Sequence, residues 1–571
     1  MDLTVEKMIN KANTVPRLMD TYIKSQGQEP VELPKPDAPA KLSMLVFADA
    51  SGFAKNIFAA APEGRIGMKK VVENYHSLTQ EDVKKLINEQ KKGWDMIVFA
   101  VGCDPPRTNS VPDIIEQNIV ISRLYFWLCY EVQRAENVKK VFCLTRGLFH
   151  EDKKTHNKVG LGITIGGTLF GMTNTARQEL EQVDMHFCDT EYFIEDGSNL
   201  WARIAAEAFR DTAFGMIDVR VLNSGRYVQK RVSSKVYEAA NKPFPMPNDG
   251  VIGIAGGNGA LGLVMGGWLL DKAEEQGASG FLIQFLSRSM KISDDNMKQW
   301  NAIQQKAQKL GVKVEQAKLD MSSQEGLDAY IRGCNGCLRG FIHSAGVLRD
   351  SMLANMTWEK FMDVYNSKHF AALYLHDALE RMPQKDLLFI WNFSSTSVYG
   401  NMGQLNYSGS NSFLDVLTRH RLAKGRPSCA IQWGAWGDVG MAAGMSDAMR
   451  LRTQNSPMPY FSNAEGLDGL EKGISTGLAY FSVFKFNPAV MLGSVQNGDY
   501  VQSCYHRNHY SEVAPTPIAP SLDRQHLYTV YRMSRGPQCN NPNATKLVYD
   551  AYVKEAALKD EAEWGNNFRT W

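Results

Sequence analysis

The sequence predicts an α/β protein in which two doubly wound parallel sheets lie side by side, and three observations support this prediction. The chain has 571 residues, more than a single hydrophobic core usually serves. From about residue 41, short apolar runs alternate with helical stretches, the pattern of parallel strands joined by helices. The proline-rich segment NKPFPMPNDG interrupts the alternation, which starts again at GVIGIAGGNG. A second sheet is therefore expected to follow the first.

Four segments follow from this pattern. Residues 1–30 are predicted to form a helix, because Val5, Met8, Ile9 and Ala12 have helical spacing, and the segment EPVELPKPDAPAK after them is typical of a linker. The runs MLVFAD, MIVFAVG and KVFCLTRG are typical of buried parallel strands. Beyond about residue 500 the alternation stops, and KLVYDAYVKEAALKDEAEW predicts a last helix with an apolar edge. The predicted segments are a helix and linker (1–40), a first unit (41–245), a second unit (246–500) and an extension (501–571).

Composition excludes several classes of protein. A net charge of +2, from 63 basic and 61 acidic residues, gives no field that would attract nucleic acid. No apolar stretch approaches the ~20 residues of a membrane helix, and the first 20 residues lack a secretory pattern. Nine cysteines without a dense framework favour reduced thiols, and the CxxC pair at Cys334 and Cys337 lacks a second ligand pair for zinc. We expect a cytoplasmic protein without nucleic-acid or membrane partners; an organelle such as a plastid stays open.

The turn that opens the second unit predicts a phosphate site. In AGGNGALG, Gly257, Gly259 and Gly262 lie directly after an apolar run and before a helix. Glycines there permit a tight turn, and the N–H groups at the start of a helix bind phosphate. The equivalent turn of the first unit, FADASGFA, has no such glycines. The second unit is thus the one expected to bind a dinucleotide.

Polar residues at the ends of the next two runs indicate which dinucleotide. FLIQFLSRS ends with Ser287 and Arg288, where NAD enzymes usually place an acidic residue. A hydroxyl and a guanidinium suit a 2′-phosphate instead, and hence NADPH. Asp320, which ends a third run within KLDMSS, is suited to accept a hydrogen bond from an adenine amine.

A further group of side chains suggests reduction of a carbonyl. Such a reaction needs a proton donor beside the nicotinamide, but an unperturbed tyrosine, with a pKa of about 10, is a weak acid at neutral pH. A neighbouring lysine cation favours phenolate and a serine hydroxyl holds the carbonyl oxygen. The chain supplies Lys368 in NSKHFAALYLH, the serines of FSSTS, and then Tyr407 and Asn411.

The motifs along the chain resemble those of one known family. The motifs AGGNGALG, LSRS, FIHSAGVLRDSML, NSKHFAALYLH, FSS…GQLNYSGSNSFLD and IQWGAWGDVGMA resemble, in this order, those of the ketoreductase domain of type I modular polyketide synthases, a branch of the short-chain dehydrogenase/reductase superfamily. LVFADASG, FCLTRG, GGTLFGMTNTARQEL and VRVLNSGRYVQKRV are similar to that family's amino-terminal structural subdomain. The resemblance covers about residues 41–490 and implies two Rossmann-like subdomains, of which only the second binds NADPH.

The resemblance also implies site residues. In that family the catalytic lysine precedes the tyrosine, and an asparagine follows the tyrosine by four residues, as Lys368, Tyr407 and Asn411 do. The resemblance implies that Asn411 helps to hold the lysine and to relay water. The expected cofactor site comprises Gly256, Gly257, Asn258, Gly259, Leu261, Gly262, Ser287, Arg288, Asp320, Met321, Ser344, Ala345, Gly346, Trp433 and Gly434. The family's threonine at the start of the glycine turn is replaced by Ala255.

The catalytic serine is ambiguous, because two criteria disagree. Ser394 has the family's spacing of thirteen residues before Tyr407, whereas Ser395 is the second serine of the FSS pair at the strand end. A slip of one residue would turn a strand side chain to the opposite face, whereas a deletion in a loop is tolerated. We therefore predict Ser395, with Ser394 or Ser397 as substitutes if the loop refolds.

The family also implies a stereochemical outcome and a lid. A Leu-x-Asp pattern after AGV, here Leu348 and Asp350, resembles ketoreductases that form the D product, while Tyr399 stands where L-type enzymes tend to have tryptophan. A helix cap is the alternative role for Asp350. GMAAGMSDAMRL resembles the family's lid; its methionines at four-residue spacing suit ordinary packing or variable acyl chains.

The expected function is reduction of a β-ketoacyl thioester to the D-(3R)-β-hydroxyacyl thioester with NADPH, in polyketide or fatty-acid-like biosynthesis. The family implies an acyl-carrier protein in trans as partner, and a homo-oligomer or a larger synthase assembly is compatible with it. Two alternatives are a reductase of a small diffusible ketone and a catalytically impaired, NADP-binding scaffold subunit. The shortened serine loop and the extensions at both ends give the scaffold some weight, but the presence of both Tyr407 and Lys368 favours the active reductase.

Overall fold

The computed structural model confirms the α/β fold class. It describes residues 21–24, 41–135, 138–209, 218–230, 244–438, 456, 458–485, 517–519 and 522–523. Two large sheets lie within these residues, and a short antiparallel pair of strands (Pro517–Ala519 and Leu522–Asp523) stands apart from both. The predicted lid over 440–451 and the predicted carboxy-terminal helix lie outside the described residues.

The first sheet has eight strands. In chain order they are β1 (Thr21–Lys24), β2 (Leu42–Phe47), β3 (Ile66–Val72), β4 (Met96–Phe99), β5 (Lys140–Arg146), β6 (Asp184–Thr190), β7 (Asp218–Leu222) and β8 (Gly225–Lys230). Their order across the sheet is β1-β8-β7-β6-β5-β4-β2-β3. All pairings are parallel except those of β8 with β7 and β1. The three central strands expected from sequence are β2, β4 and β5, and all their described side chains are buried or half-buried.

Six α-helices of the described residues join these strands: α1 (Phe53–Ala59), α2 (Gln80–Asn88), α3 (Val111–Val132), α4 (Lys153–Val159), α5 (Gly167–Glu179) and α6 (Leu200–Ala208). Local sequence explains several of their starts. Thr79 and Asp82 form a reciprocal capping box before α2, and the Ser110 side chain caps α3, which has proline in its first turn.

The predicted helix over residues 1–30 is wrong for Thr21–Lys24, which form strand β1. These residues pair antiparallel with β8, Thr21 opposite Lys230 and Lys24 opposite Tyr227. Threonine, tyrosine and isoleucine favour strands, and the partner strand lies far along the chain, beyond the reach of any local pattern. A helical spacing of nearby residues could not reveal that partner.

The second sheet has seven parallel strands. They are β9 (Val251–Ala255), β10 (Leu282–Ser287), β11 (Lys313–Lys318), β12 (Leu338–His343), β13 (Phe389–Ser395), β14 (Cys429–Trp433) and β15 (Tyr480–Val483). Their order is β11-β10-β9-β12-β13-β14-β15. The order reverses between β9 and β12, and ligands of such sheets bind outside the carboxyl ends of the strands at that point.

In the part of the second unit that the structure describes, seven α-helices and one π-helical turn flank the sheet. The helices are α7 (Ala260–Gln276), α8 (Asp294–Leu310), α9 (Gln324–Gly333), α10 (Trp358–Tyr365), α11 (Ala371–Arg381), α12 (Leu405–Ala423) and α13 (Asn463–Ile474). The π turn, Asn366–Phe370, connects α10 directly to α11. Among the described helices of both units, none combines the length and apolarity needed to cross a membrane.

The two units pack through α5 and α12. Gly171 of α5 lies so close to α12 that a Cβ built on it would be 2.1 Å from the carbonyl oxygen of Ser408. Hydrogen bonds cross the contact from Thr175 Oγ1 to Ser408 Oγ (2.8 Å) and from Gly171 N to Ser412 Oγ (3.2 Å). One hydrophobic cluster contains side chains of both units, for example Phe170 and Phe413.

The turn after β2 differs from its counterpart in the second unit. The Asp49 carboxylate accepts hydrogen bonds from the N–H groups of Phe53 (2.7 Å) and Ala54 (2.8 Å), which open α1. Asp104 accepts from the N–H groups of Ala50 and Ser51, both at 3.0 Å. The N–H groups that would face a phosphate in such a turn are thus bonded to carboxylates of the chain.

Candidate active site

The glycine turn between β9 and α7 has the form that a pyrophosphate requires. Gly256 has φ +77°, and a Cβ on it would meet the Ala345 backbone nitrogen at 3.0 Å. A Cβ on Gly262 would lie 2.6 Å from Gly257 Cα, so glycine lets α7 approach the turn closely. No side chain caps the start of α7 at Gly259, whereas the first N–H groups of α1 are bonded to the Asp49 carboxylate. This open cradle fits the phosphates of a dinucleotide.

The residues at the neighbouring strand ends fit the adenosine half of a nicotinamide dinucleotide. Ser287 Oγ accepts hydrogen bonds from Asn258 Nδ2 (2.7 Å) and Met290 N (3.1 Å), which fix the turn after β10. Arg288 is exposed beside it. Hydrogen bonds from Ser322 and the nearby Arg288 charge lower the pKa of Asp320, so that this carboxylate stays ionised as an acceptor.

A cleft of about 1380 Å³ runs along this edge of the second sheet. Small-molecule pockets typically measure ~300–1,000 Å³, so there is room for a dinucleotide and a second molecule. The predicted cofactor residues that line it are Gly256, Gly259, Leu261, Gly262, Ser287, Arg288, Asp320, Met321, Ser344, Ala345, Gly346, Trp433 and Gly434. Gly257 and Asn258 are not among its lining residues; Gly257 packs on Phe285, and Asn258 is buried behind Ser287.

Tyr407 and Lys368 meet at the middle of the cleft. Tyr407 lies in the first turn of α12, and Lys368 lies in the π turn. Lys368 Nζ is 4.8 Å from the centroid of the Tyr407 ring and donates a hydrogen bond to Phe393 O at 2.7 Å. Burial and the Lys368 charge lower the pKa of His343 to about 4, so the imidazole beside the lysine is neutral at physiological pH.

Both serines of the pair line the cleft, but their hydroxyl groups differ in their partners. Ser394 Oγ donates to the backbone oxygen of Asn411 at 3.3 Å, and its side chain is buried. Ser395 Oγ instead accepts from the N–H of Ser397 at 3.1 Å. The Ser395 hydroxyl therefore keeps its own proton for a bond to another molecule. Ser397 lines the cleft as well.

Asn411 lies one turn after Tyr407 and is fully buried behind it. Its Nδ2 donates to Tyr407 O at 2.9 Å and lies 3.5 Å from Ser397 Oγ. The expectation that it holds the lysine needs correction, because the Lys368 ammonium bonds to Phe393 O. Asn411 Oδ1 is buried without a described protein partner, as expected of an atom that binds water.

The predicted stereocontrol residues line the cleft, although not in equal roles. Leu348 and Asp350 lie in the loop after β12. Asp350 accepts a hydrogen bond from Gln404 Nε2 at 2.9 Å and caps no described helix, and burial raises the pKa of its carboxyl. Tyr399 is almost fully buried, and its hydroxyl lies 3.1 Å from Gln432 Oε1 inside the sheet. Its hydroxyl therefore points away from the cleft.

Several cleft residues escaped the sequence prediction, and Gln404 and Gln178 are two of them. Gln404, three residues before Tyr407, holds Asp350, and its position in the GQLNY motif was a usable signal. Gln178 comes from α5 of the first unit, 229 residues before Tyr407. No local pattern marks it, because only the packing of the two units brings it to the cleft.

Comparison with known proteins agrees with this geometry. Residues 250–438 match the family model described as KR domain. The chain is 34% identical over 181 residues to the polyketide synthase GfsB of Streptomyces halstedii, covering 31% of this chain and 3% of that protein. It is 31% identical over 278 residues to a phenolphthiocerol/phthiocerol polyketide synthase of Mycobacterium tuberculosis, covering 48% and 12%. The chain thus spans a small part of its curated relatives.

Solved structures extend the likeness to both units. A-type ketoreductases from a modular polyketide synthase superpose with a TM-score of 0.67 at 18% identity, covering 84% of this chain and 95% of theirs. The first ketoreductase of the tylosin polyketide synthase gives 0.66 at 19% identity, covering 86% and 96%. The fold is therefore shared well beyond the matched domain. Together these findings show that residues 250–438 match a KR domain and that both units share the fold of solved polyketide-synthase ketoreductases.

Proposed function

We propose that this chain reduces a β-ketoacyl thioester to the D-(3R)-β-hydroxyacyl thioester with NADPH, and that the substrate is carried by an acyl-carrier protein acting in trans. The observation that carries the proposal is the approach of Lys368 Nζ to the Tyr407 ring, 4.8 Å from its centroid, in a cleft with a glycine cradle at one end. The matched relatives are polyketide synthases, which supports an acyl thioester as substrate.

A nicotinamide held in this cleft by the glycine turn would supply the hydride. The Tyr407 hydroxyl gives its proton to the carbonyl oxygen as charge develops there. Lys368 favours the resulting phenolate and is itself held by Phe393 O. The free hydroxyl proton of Ser395 holds the same carbonyl oxygen, and the buried Asn411 Oδ1 is suited to bind a water that returns a proton.

NADPH is favoured over NADH by the strand end after β10. The exposed guanidinium of Arg288 and the hydroxyl of Ser287 suit a 2′-phosphate, and an acidic side chain is missing from this strand end. Two features support the D-(3R) configuration of the product. The chain has the Leu348–Asp350 pattern, and it has Tyr399 where L-type ketoreductases tend to have a tryptophan.

The test is oxidation of NADPH by the purified chain with a short β-ketoacyl thioester, beside the variant Tyr407→Phe. We expect turnover in the wild type and a loss of at least ~10²-fold in the variant, because the removed hydroxyl is the acid, whose contribution is typically ~10²–10⁴-fold. Tyr374→Phe, on α11 outside the cleft, is the matched control and should keep wild-type turnover.

The same assay separates the alternatives. Carrier-bound thioester that reacts faster than the free thioester supports the carrier partner, and chiral analysis of the product gives its configuration. Equal turnover of a simple ketone would favour the small-ketone reductase. Tight NADPH binding without turnover of any substrate would favour the scaffold.

A further inference from the structure

Gln178 is a residue of the first unit that enters the catalytic cleft. It lies on the last turn of α5, the helix that packs against α12 and its Tyr407. Because the α5–α12 contact is held by the Gly171 approach and the Thr175–Ser408 bond, the position of Gln178 relative to Tyr407 is fixed. The first unit therefore contributes a rigid part of the cleft wall.

The same end of α5 also holds the short loop between the serines and Tyr407. Asn174 Nδ2 donates to Val398 O at 3.0 Å, and Glu179 Oε1 accepts from Gly403 N at 2.9 Å. Gly400 has φ +98°, and a Cβ on it would lie 2.6 Å from Gln178 Nε2. The carboxamide thus rests on the loop in the space that a larger residue at 400 would fill.

The Gln178 carboxamide is available for a ligand. The neighbouring polar groups are bonded to each other, Asn401 Nδ2 to Gln404 Oε1 at 2.9 Å and Gln404 Nε2 to Asp350 Oδ2 at 2.9 Å. Within the described part of the chain, Gln178 makes no hydrogen bond of this kind, and it is only half-buried. The two N–H donors of this cleft-lining side chain therefore have no partner among the described residues.

A β-ketoacyl thioester offers a partner for these donors. Its keto oxygen is held by Tyr407 and Ser395, and a second carbonyl group, that of the thioester, is separated from the keto carbon by a single methylene or substituted carbon. A donor for that second oxygen fixes which face of the ketone is presented to the hydride. We propose that Gln178, supplied by the first unit, binds the thioester carbonyl and so orients the substrate; this rests on the proposed function.

The test compares Gln178→Ala and Gln178→Glu with the wild type, and uses Gln90→Ala, in the first unit outside the cleft, as control. Loss of one hydrogen bond should raise KM for the thioester by about 5–10-fold, with a smaller change in kcat and a lower excess of one product configuration. The Glu variant keeps the shape of the side chain but replaces the N–H donors by oxygens, so it should be impaired as well. NADPH affinity, the melting temperature and turnover of a ketone without a second carbonyl should stay at the wild-type level.

The outcomes separate this inference from the proposed function. If the wild type turns over and both variants keep its KM and product configuration, the role of Gln178 is refuted and the reductase stands. If the wild type does not turn over, calorimetry of thioester binding to the NADPH-loaded protein decides. Weaker binding by both variants supports the contact, whereas equal binding or none overturns it. If Gln178→Ala has a lower melting temperature than the wild type, the near-isosteric Gln178→Glu variant is used to decide.

Discussion

The contact between α5 and α12 predicts that a methyl group far from the cofactor will slow the reaction. In the variant Gly171→Ala, the new Cβ would stand 2.1 Å from Ser408 O, although Cβ atoms essentially never approach other atoms closer than 3.0 Å. The helices must therefore separate by about 0.9 Å at this point. Ser408 directly follows Tyr407, so the displacement reaches the proton donor.

The size of the effect follows from that displacement. A misplacement of ~1 Å in an active site can reduce the rate by about 10²-fold, and we expect kcat to fall by ~10–10²-fold on that basis. Overpacking costs about 1–3 kcal/mol of stability, partly offset by the ~1 kcal/mol preference of a helix for alanine over glycine. The melting temperature should thus fall by no more than a few degrees, about 2–4 °C per kcal/mol.

The assay measures kcat with a β-ketoacyl thioester, the Kd of NADPH and thermal unfolding. The Kd should stay close to the wild-type value, because the glycine cradle does not contact α5. Gly267→Ala is the matched control: it lies within α7 and has nothing within 4 Å of a built Cβ. It should gain stability and keep its kcat. Wild-type kcat and melting temperature in Gly171→Ala would refute the reasoning.

Two further predictions concern titration and the serine pair. Burial and neighbouring cations lower the pKa of His420 to about 3, below its ordinary 6.5, and His156 Nδ1 lies 3.1 Å from its Nδ1 across the units. Below pH ~6.5 these imidazoles are protonated in the unfolded chain but stay neutral in the folded protein. The free energy of unfolding should therefore fall by about 1.4 kcal/mol for each pH unit of acidification and each such histidine. Denaturant melts from neutral to mildly acidic pH check this, and His420→Phe should flatten the pH profile. Ser395→Ala should lower kcat by ~10²–10³-fold, as loss of an oxyanion donor does, whereas Ser394→Ala should keep kcat within a few-fold; the reverse order in a steady-state assay would move the catalytic role to Ser394.

The strands and the catalytic residues were accessible from sequence because local patterns encode them. The apolar runs of β2, β4, β5 and β9 are long enough to identify buried strands, and the glycine turn has a local steric cause. Strand β1 was missed because pairing with β8 decides its conformation. Gln178 was missed for a similar reason, since tertiary packing alone brings it near Tyr407.

The bonds around Asn411 and Lys368 illustrate a second limit. Their order in the chain predicts that both lie near Tyr407, and they do. Which oxygen the ammonium binds depends on the position of the Phe393 carbonyl at the end of β13, a backbone detail that motif spacing does not encode.

The hydrophobic cluster shared by the two units has a consequence for protein engineering. Phe361, Tyr365 and Phe413 of the second unit are buried in it together with side chains of the first, so a fragment that begins near residue 244 would expose these rings to water. The unit to transfer between proteins is therefore the pair of sheets together. A chimaera that exchanges the catalytic sheet alone must recreate the small-residue face of α5, including Gly171, before its own Tyr407 can be held in place.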